Sequence, residues 1–370
     1  MILVTGGTGF VGREVVRELL ALGHRVRLLA RDPGKVGQVG RHVRIEVVKG
    51  DVLQPTTLPA ALAGVHAVVH LIGIITETSH VTYERAHTEA TRNLLAAAKV
   101  AGVTRWVQMS AIGTRPNARS RYHLTKWAAE ELVRASGLDW TILRPSLIYG
   151  YDEQDRLLNL FRRVLSPPLD LLTLYSIGLI DGGSPKIQPV SVCEVAHCFA
   201  LAPSKEAAVG REFDLVGPAP MHWREMVAKI AAALEIETVY EKVPLLLILR
   251  GVAAFAGFGI LFILVASVHP AISWLEVGLG FVLIAALGFF AVAYSPRTLR
   301  PNTLIFGLPG EFLIHLTEPL NLFAPRELRA SEVLKMARED NVGDPRPAMD
   351  VFAYTPETFE EGVATCYQKR

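Results

Sequence analysis

The sequence predicts an α/β protein with a doubly wound parallel sheet. Two observations predict it: short apolar runs alternate with amphipathic helical patterns through the first 150 residues, and a glycine-rich turn sits between the first run and the first helix. Ile2–Thr5 reads as a buried strand. Phe10–Leu22 follows with apolar positions Val11, Val15 and Leu19, joined by Val16 and Leu20, in helical register, and Gly23 closes it. Val26–Ala30 is the second strand, turning at Arg31-Asp32-Pro33-Gly34, and Val43–Val48 is the third. His66–Ile72 is the fourth, followed by a helix from Tyr83 to Ala101. Arg105–Met109, a helix Arg121–Ser136 and a sixth strand Trp140–Leu143 complete the series. Strand and helix at this pitch read as repeated βαβ units.

At 370 residues the chain can bury a substantial core, and its net charge of +2, with both signs interspersed, carries no footprint for nucleic acid. Three cysteines, Cys193, Cys198 and Cys366, form no disulfide framework and point to a reducing compartment. Cys193, His197 and Cys198 lie close along one helix but lack a second ligand pair, so no metal site is expected. Nothing basic or cleavable precedes Ile2, and the N-terminal domain is expected to stay in the cytoplasm.

The segment Thr5-Gly6-Gly7-Thr8-Gly9-Phe10-Val11-Gly12 is the strongest chemical signal. It leaves a strand and opens a helix, as a dinucleotide fingerprint must. Gly6 permits the turn, Gly9 lets backbone approach a diphosphate, and Gly12 lets the helix press on the strand, so that amides at Thr8, Phe10 and Val11 can face phosphate. The domain is therefore expected to be Rossmann-type. Arg31, at the end of the second strand, can clamp a 2′-phosphate, which favours NADP(H) over NAD(H); Asp32 is placed to hold ribose hydroxyls instead. Asp51 and Val52, past the third strand, are placed at the adenine, although Asp51 also suits a turn cap.

Tyr122 and Lys126 stand at i and i+4 on one helical face. A tyrosine that exchanges a proton during hydride transfer needs a nearby ammonium, and the same lysine can reach the nicotinamide ribose. Ser110, ending the fifth strand, is the candidate hydroxyl for polarising a carbonyl. His70 reads as a satisfied structural histidine, and His123 as a possible relay beside Tyr122.

Past Tyr151 the rhythm breaks. Pro167-Pro168 and the stretch Asp181-Gly182-Gly183-Ser184-Pro185 mark loops, and residues 191–202 and 222–234 read as helices of a smaller substrate-facing lobe. Hydrophobic residues make up 50% of the chain, with a mean hydropathy of +0.30, and the excess is concentrated later. Residues 251–268 and 277–293 carry no charge, and His269-Pro270 between them reads as a turn. With flanks, each run reaches about 27–30 Å, enough for a bilayer core. Lys242 and Arg250 precede the first run, and Arg297 and Arg300 follow the second, so a spanning hairpin would have both ends cytoplasmic. Buried core helices or interfacial helices are the alternatives. The expected division is a nucleotide-binding domain over 1–150, a lobe over 151–244, a membrane hairpin over 245–296 and a C-terminal segment over 297–370 that packs on the lobe. Residues 331–340 read as helix, and the last thirty are left unassigned.

Thr5–Gly12, Tyr122–Lys126 and the stretch from Gly137 to Gly150, which includes Leu143-Arg144-Pro145-Ser146-Leu147-Ile148-Tyr149, resemble the short-chain dehydrogenase/reductase superfamily. Within it they are similar to the atypical group of the 39-kDa accessory subunit of respiratory complex I and its bacterial relatives. The resemblance covers residues 1–215 well. It implies NADPH at the glycine loop and Arg31, with Pro145, Ser146 and Leu147 facing the nicotinamide and 188–192 closing over the coenzyme. Many members of that group have a degraded active site, whereas this chain keeps Tyr122 and Lys126; the hairpin is not a usual part of the fold. Three functions follow. The first is a membrane-anchored oxidoreductase acting on a small or lipid-like carbonyl or quinone-type substrate, held on the cytoplasmic side of the inner (cytoplasmic) membrane. The second is a non-catalytic NADPH-binding subunit or assembly factor of a membrane protein complex. The third is a nucleotide-sugar epimerase or dehydratase.

Overall fold

The computed structural model describes residues 1–150, 176–180, 184–233, 238–241, 303–308, 314 and 330–368. Its centre is a seven-stranded sheet. The strands are β1 (Ile2–Thr5), β2 (Val26–Ala30), β3 (Ile45–Lys49), β4 (Ala67–His70), β5 (Arg105–Met109), β6 (Asp139–Pro145) and the strand Arg211–Leu215. From one edge the order is Arg211–Leu215, β6, β5, β4, β1, β2, β3, and every pairing is parallel. The chain reverses its direction of travel between β1 and β4, and a crevice opens there at the carboxyl ends of the strands.

β1 is apolar on both sides because both faces are covered. Ile2 and Val4 pack with Val15, Val16 and Leu19 of α1 (Phe10–Ala21) and with Val195 and Phe199 of the helix Val192–Leu201. Leu3 faces the opposite layer with Leu58, Leu62, Leu94, Trp106 and Val133.

The sequence expectation holds for β1, β2 and β5 to the residue, and four departures have local causes. The third strand begins at Ile45 rather than Val43, which is 94% exposed and belongs to the approach loop. A short helix, α2 (Leu58–Leu62), was not anticipated, because five residues carrying Pro59 give too short a periodic signal. The expected helix from Tyr83 to Ala101 is a π-helix over Glu84–Glu89 that continues as α3 (Ala90–Val100). The seventh strand, Arg211–Leu215, was also missed. Its buried Phe213 and Leu215 alternate with Glu212 and Asp214, and the charges masked the period of two.

Those charges have partners. Glu130 of α4 (Arg121–Arg134) is fully buried and accepts from Arg144 Nε at 2.8 Å and from Arg144 and Arg134 terminal nitrogens at 2.6 and 2.7 Å. Glu212 pairs with both arginines, at 2.5 Å from Arg134 and 2.8 Å from Arg144. One buried carboxylate thus ties α4 to β6 and the edge strand.

In the C-terminal segment the helix expected over 331–340 is Ala330–Ala337, and the last thirty residues, left unassigned, hold the helices Arg346–Phe352 and Phe359–Gln368. Phe352 packs edge-on against Phe213, and Phe359 against Tyr149. Among the described residues no helix is long and apolar enough to cross a membrane. The uncharged runs 251–268 and 277–293 lie outside the described residues.

Replacing Glu130 by Ala would strand two arginines around a buried void. The E130A variant is expected to lose about 3 kcal/mol of stability, read from urea unfolding at neutral pH. A loss below about 0.5 kcal/mol would mean that the cluster does not hold the sheet edge.

Candidate functional site

The glycine loop lies at the crevice between β1 and β4. Gly6 has φ +75°, a conformation that side chains resist, and a Cβ there would come within 3.1 Å of the Leu71 carbonyl carbon. Gly9 N–H donates to the Gly6 carbonyl at 3.0 Å, closing the turn. A Cβ at Gly12 would lie 2.7 Å from the Gly7 Cα and overlap the Gly6 carbonyl oxygen, so α1 can press this closely on the loop only with glycine. Gly9 caps α1 with no side-chain hydrogen bond, which leaves the first-turn amides without a capping oxygen. Thr8, Phe10 and Val11 are half-buried around this end and Gly9 is exposed. A side-chain-free cradle at an uncapped helix N-terminus fits a diphosphate.

Arg31 and Asp32 are both exposed past β2. The Asp32 carboxylate accepts the Gly34 N–H at 3.0 Å and so shapes the turn. Asp51 does likewise past β3: Oδ1 accepts the Leu53 N–H at 2.9 Å, while its own N–H donates to Thr57 Oγ1 at 3.0 Å. Val52 is buried, and its carbonyl accepts from Asn93 at 3.0 Å.

The second half of the site is carried by α4. Ser120 caps it by accepting the His123 N–H at 3.2 Å, and Glu332, from the C-terminal segment, accepts the Arg121 N–H at 2.6 Å. One turn on, Lys126 is 6% exposed; its Nζ donates to the Met109 carbonyl at 3.3 Å and lies 5.7 Å from the Tyr122 ring centroid. Burial pulls the Lys126 ammonium down to about 8, partly offset by Glu130. Burial also raises the Tyr122 phenol well above its usual range, with Tyr83 adding to the shift. Among the described residues no group hydrogen-bonds the Tyr122 hydroxyl. Its ring meets Tyr83, His87 and His123 edge-on at centroid distances of 5.8, 5.3 and 5.0 Å.

Ser110 is buried at the end of β5, next to the Met109 carbonyl that holds Lys126. Its hydroxyl donates to Thr114 Oγ1 at 3.4 Å, and Thr114 Oγ1 lies 3.5 Å from His123 Nδ1. Burial brings His123 down to about 4 and His70 to about 3, and it holds His87 well below the ordinary range; the Lys126 charge lowers all three further. The histidines around the lysine are therefore neutral at physiological pH. His70 is not fully satisfied, contrary to expectation: Nδ1 meets Thr5 Oγ1 at 2.6 Å, but Nε2 is buried with no hydrogen-bond partner.

Pro145 ends β6, and its carbonyl accepts the Ile112 N–H at 3.0 Å. The Ser146 hydroxyl donates to the Gln188 carbonyl, and the Leu147 carbonyl accepts the Val190 N–H at 2.9 Å. The segment 188–192 is thereby fastened to 145–149, and Val190–Ser191 pairs with Ile148–Tyr149.

Tyr122 and Lys126 thus come together as their spacing predicts, with Ser110 one residue from the lysine's carbonyl anchor. Sequence reasoning missed Tyr83, His87, Thr114, Thr125 and Glu332. The Tyr83–His87 spacing of i, i+4 was visible, but nothing local linked it to Tyr122, 35 residues on from His87. Among the described residues no cluster of His, Cys, Asp and Glu could hold a metal ion.

A family model described as NAD(P)H-binding matches residues 6–159. The chain is 31% identical over 222 residues to the mitochondrial NADH dehydrogenase [ubiquinone] 1 alpha subcomplex subunit 9 of Arabidopsis thaliana, covering 58% of this chain and 53% of that protein. It is 34% identical over 178 residues to a ceramide reductase of Caulobacter vibrioides, covering 48% and 55%. The chain spans about half the length of these curated relatives. The NADPH-dependent quinone oxidoreductase QOR2 of Escherichia coli, solved with NADPH, shares the fold at a TM-score of 0.64 and 15% identity, over 99% of this chain and 100% of that one. Residues 6–159 thus carry an NAD(P)H-binding domain, and with its glycine cradle, parallel sheet and Tyr122–Lys126 pair the chain is similar to the atypical short-chain dehydrogenase/reductases.

Proposed function

We propose that the protein is a membrane-anchored, NADPH-using reductase of a lipophilic carbonyl or quinone-type substrate. The observation that carries this reading is the intact pair: a buried Lys126 ammonium beside Tyr122, whose hydroxyl no protein group occupies among the described residues. Coenzyme binding alone needs Lys126 only as a ribose donor, whereas an ammonium drawn down to about 8 beside a tyrosine suits proton transfer.

The bound coenzyme would supply a hydride to the carbonyl carbon. Tyr122 is the general acid: its phenol proton passes to the carbonyl oxygen as the C–H bond forms, leaving an alcohol and a phenolate. The Lys126 ammonium stabilises that phenolate, and a solvent proton restores the phenol. Ser110 donates to the developing oxyanion once it turns from Thr114. Gly6, Thr8, Gly9, Phe10, Val11 and Gly12 receive the diphosphate at the N-terminus of α1. Asp51 and Val52 would hold the adenine end of the coenzyme, and Pro145, Ser146 and Leu147 the nicotinamide end. Arg31 is exposed and makes no ion pair among the described residues, so it can reach a 2′-phosphate, whereas the Asp32 carboxylate is engaged in its own turn; this favours NADPH.

The anchor rests on the uncharged runs 251–268 and 277–293 and their basic flanks, which orient the nucleotide domain to the cytoplasmic side of the inner membrane. A site held at a bilayer meets lipid-like ketones and quinones at high local concentration, and the similarity to a protein named ceramide reductase is consistent with that class. The second reading, an NADPH-binding subunit or assembly factor of a membrane complex, is favoured by the similarity to a subunit of NADH dehydrogenase.

Turnover decides between the two. In detergent, with NADPH and NADH side by side and a panel of quinones and long-chain ketones, the wild type is expected to oxidise NADPH preferentially. Y122F is expected to lose about 100-fold or more in kcat while retaining coenzyme affinity. Equal inactivity of both, with stoichiometric co-purification of a membrane complex, would favour the subunit reading. The pH profile is a separate check. Because the Lys126 value is lowered to about 8, its charge is present below that pH and lost above it, while Tyr122 stays protonated and His123 stays neutral down to about 4. Reductive kcat/KM should be level from about pH 5 to 7 and fall about tenfold per unit above pH 8. A profile still level at pH 9.5 would remove Lys126 from the mechanism.

A further inference from the structure

The π-helix Glu84–Glu89 enters the site from outside the expected machinery and carries His87 on its buried side. A π turn accommodates an extra residue at the expense of regular hydrogen bonding, and it often lies at a functional position.

His87 is held from two directions. Its Nε2 accepts the Ile74 N–H at 3.2 Å, from the loop that follows β4. Its Nδ1 lies 2.9 Å from Thr125 Oγ1 on α4. The Thr125 hydroxyl is itself within 3.0 Å of the Arg121 and Tyr122 carbonyls and has only one hydrogen to give. It therefore donates to a carbonyl and accepts from His87, which fixes a neutral ring with Nδ1 protonated and Nε2 free to accept. A protonated ring could not accept from Ile74 and would add a second cation beside Lys126: a Cβ at Gly73 would lie 3.2 Å from Lys126 Nζ and 3.6 Å from His87 Nε2. So fixed, the ring stacks on Tyr83 at 5.7 Å and presents its edge geometry to Tyr122 at 5.3 Å.

We infer that His87 is a positioning residue, a wedge between the loop after β4 and α4 that sets the orientation of the Tyr122 ring for proton transfer. Its role in turnover rests on the reading of Tyr122 as the general acid; its hold on the ring does not. Misplacement of a reacting group by about 1 Å can cost about 100-fold in rate, so loosening the wedge should lower kcat more than it raises KM.

The test uses the full chain in detergent with saturating NADPH and ¹³C-labelled tyrosine, with the Tyr122 resonance assigned by its loss in Y122F. H87F keeps an aromatic ring and removes both hydrogen bonds. T125V keeps every ring and removes the acceptor for Nδ1 together with the hydroxyl's own bond to a carbonyl of its helix, so it carries the test if H87F fails to fold. Both variants are expected to shift or broaden the Tyr122 resonance and to lower kcat about tenfold or more, with KM for coenzyme and substrate within about threefold; T125S should restore both readouts. An unchanged Tyr122 resonance in T125V overturns the inference, as does a T125S variant as impaired as T125V. If the wild type turns over none of the substrates while the resonance still moves in T125V, the catalytic reading fails and the wedge stands.

Discussion

The close approach of α1 to the turn that precedes it is the constraint on which the rest of the site depends. Gly12 has no room for a side chain against Gly6 and Gly7, and Gly6 takes a backbone conformation that other residues resist. Those two requirements fix where α1 begins, and its uncapped N-terminus then faces the crevice where the sheet changes direction. The diphosphate site is thus a consequence of packing: the same contact that buries Val15, Val16 and Leu19 against β1 aims the helix amides.

The second organising feature is a buried cation with neutral neighbours. Lys126 has left water for a place beside Tyr122, with the Met109 carbonyl as its hydrogen-bond partner among the described residues and Glu130 as a more distant carboxylate. Glu130 is itself engaged by Arg144 and Arg134. Around the lysine, His70, His87 and His123 stay neutral, so the ammonium is the local charge to which a phenolate on Tyr122 would respond. Burying a cation in this way lowers stability, and the proposed proton transfer gives it a use.

Much of this was legible in the sequence. The buried strands β1, β2 and β5 are short apolar runs bounded by clear turns, and Tyr122–Lys126 needed only the helical repeat to put both on one face. The remainder depends on partners that are distant along the chain. Arg211–Leu215 looks too charged for a strand until Arg134 and Arg144 are seen to pair with Glu212. The π turn at Glu84–Glu89 leaves no local mark, because its residues also suit an ordinary helix. His87, Thr114 and Glu332 join the site from three separate segments, and no spacing rule links them to α4. The helices Arg346–Phe352 and Phe359–Gln368 are short, and they gain their stability by docking Phe352 on Phe213 and Phe359 on Tyr149.

Gly9 separates ligand recognition from folding more cleanly than its neighbours. Its φ of −79° and ψ of 174° suit any residue, it is exposed, and a Cβ there would meet only the Gly6 carbonyl oxygen, at 3.3 Å, a far milder conflict than at Gly12. Calorimetric titration of NADPH into the wild type and G9V therefore tests the central claim directly. The expected result is saturable binding to the wild type and affinity reduced at least about 30-fold in G9V, with the melting temperatures of the coenzyme-free proteins within about 5 °C of each other. Equal affinity in both, or no binding to the wild type, would contradict the account.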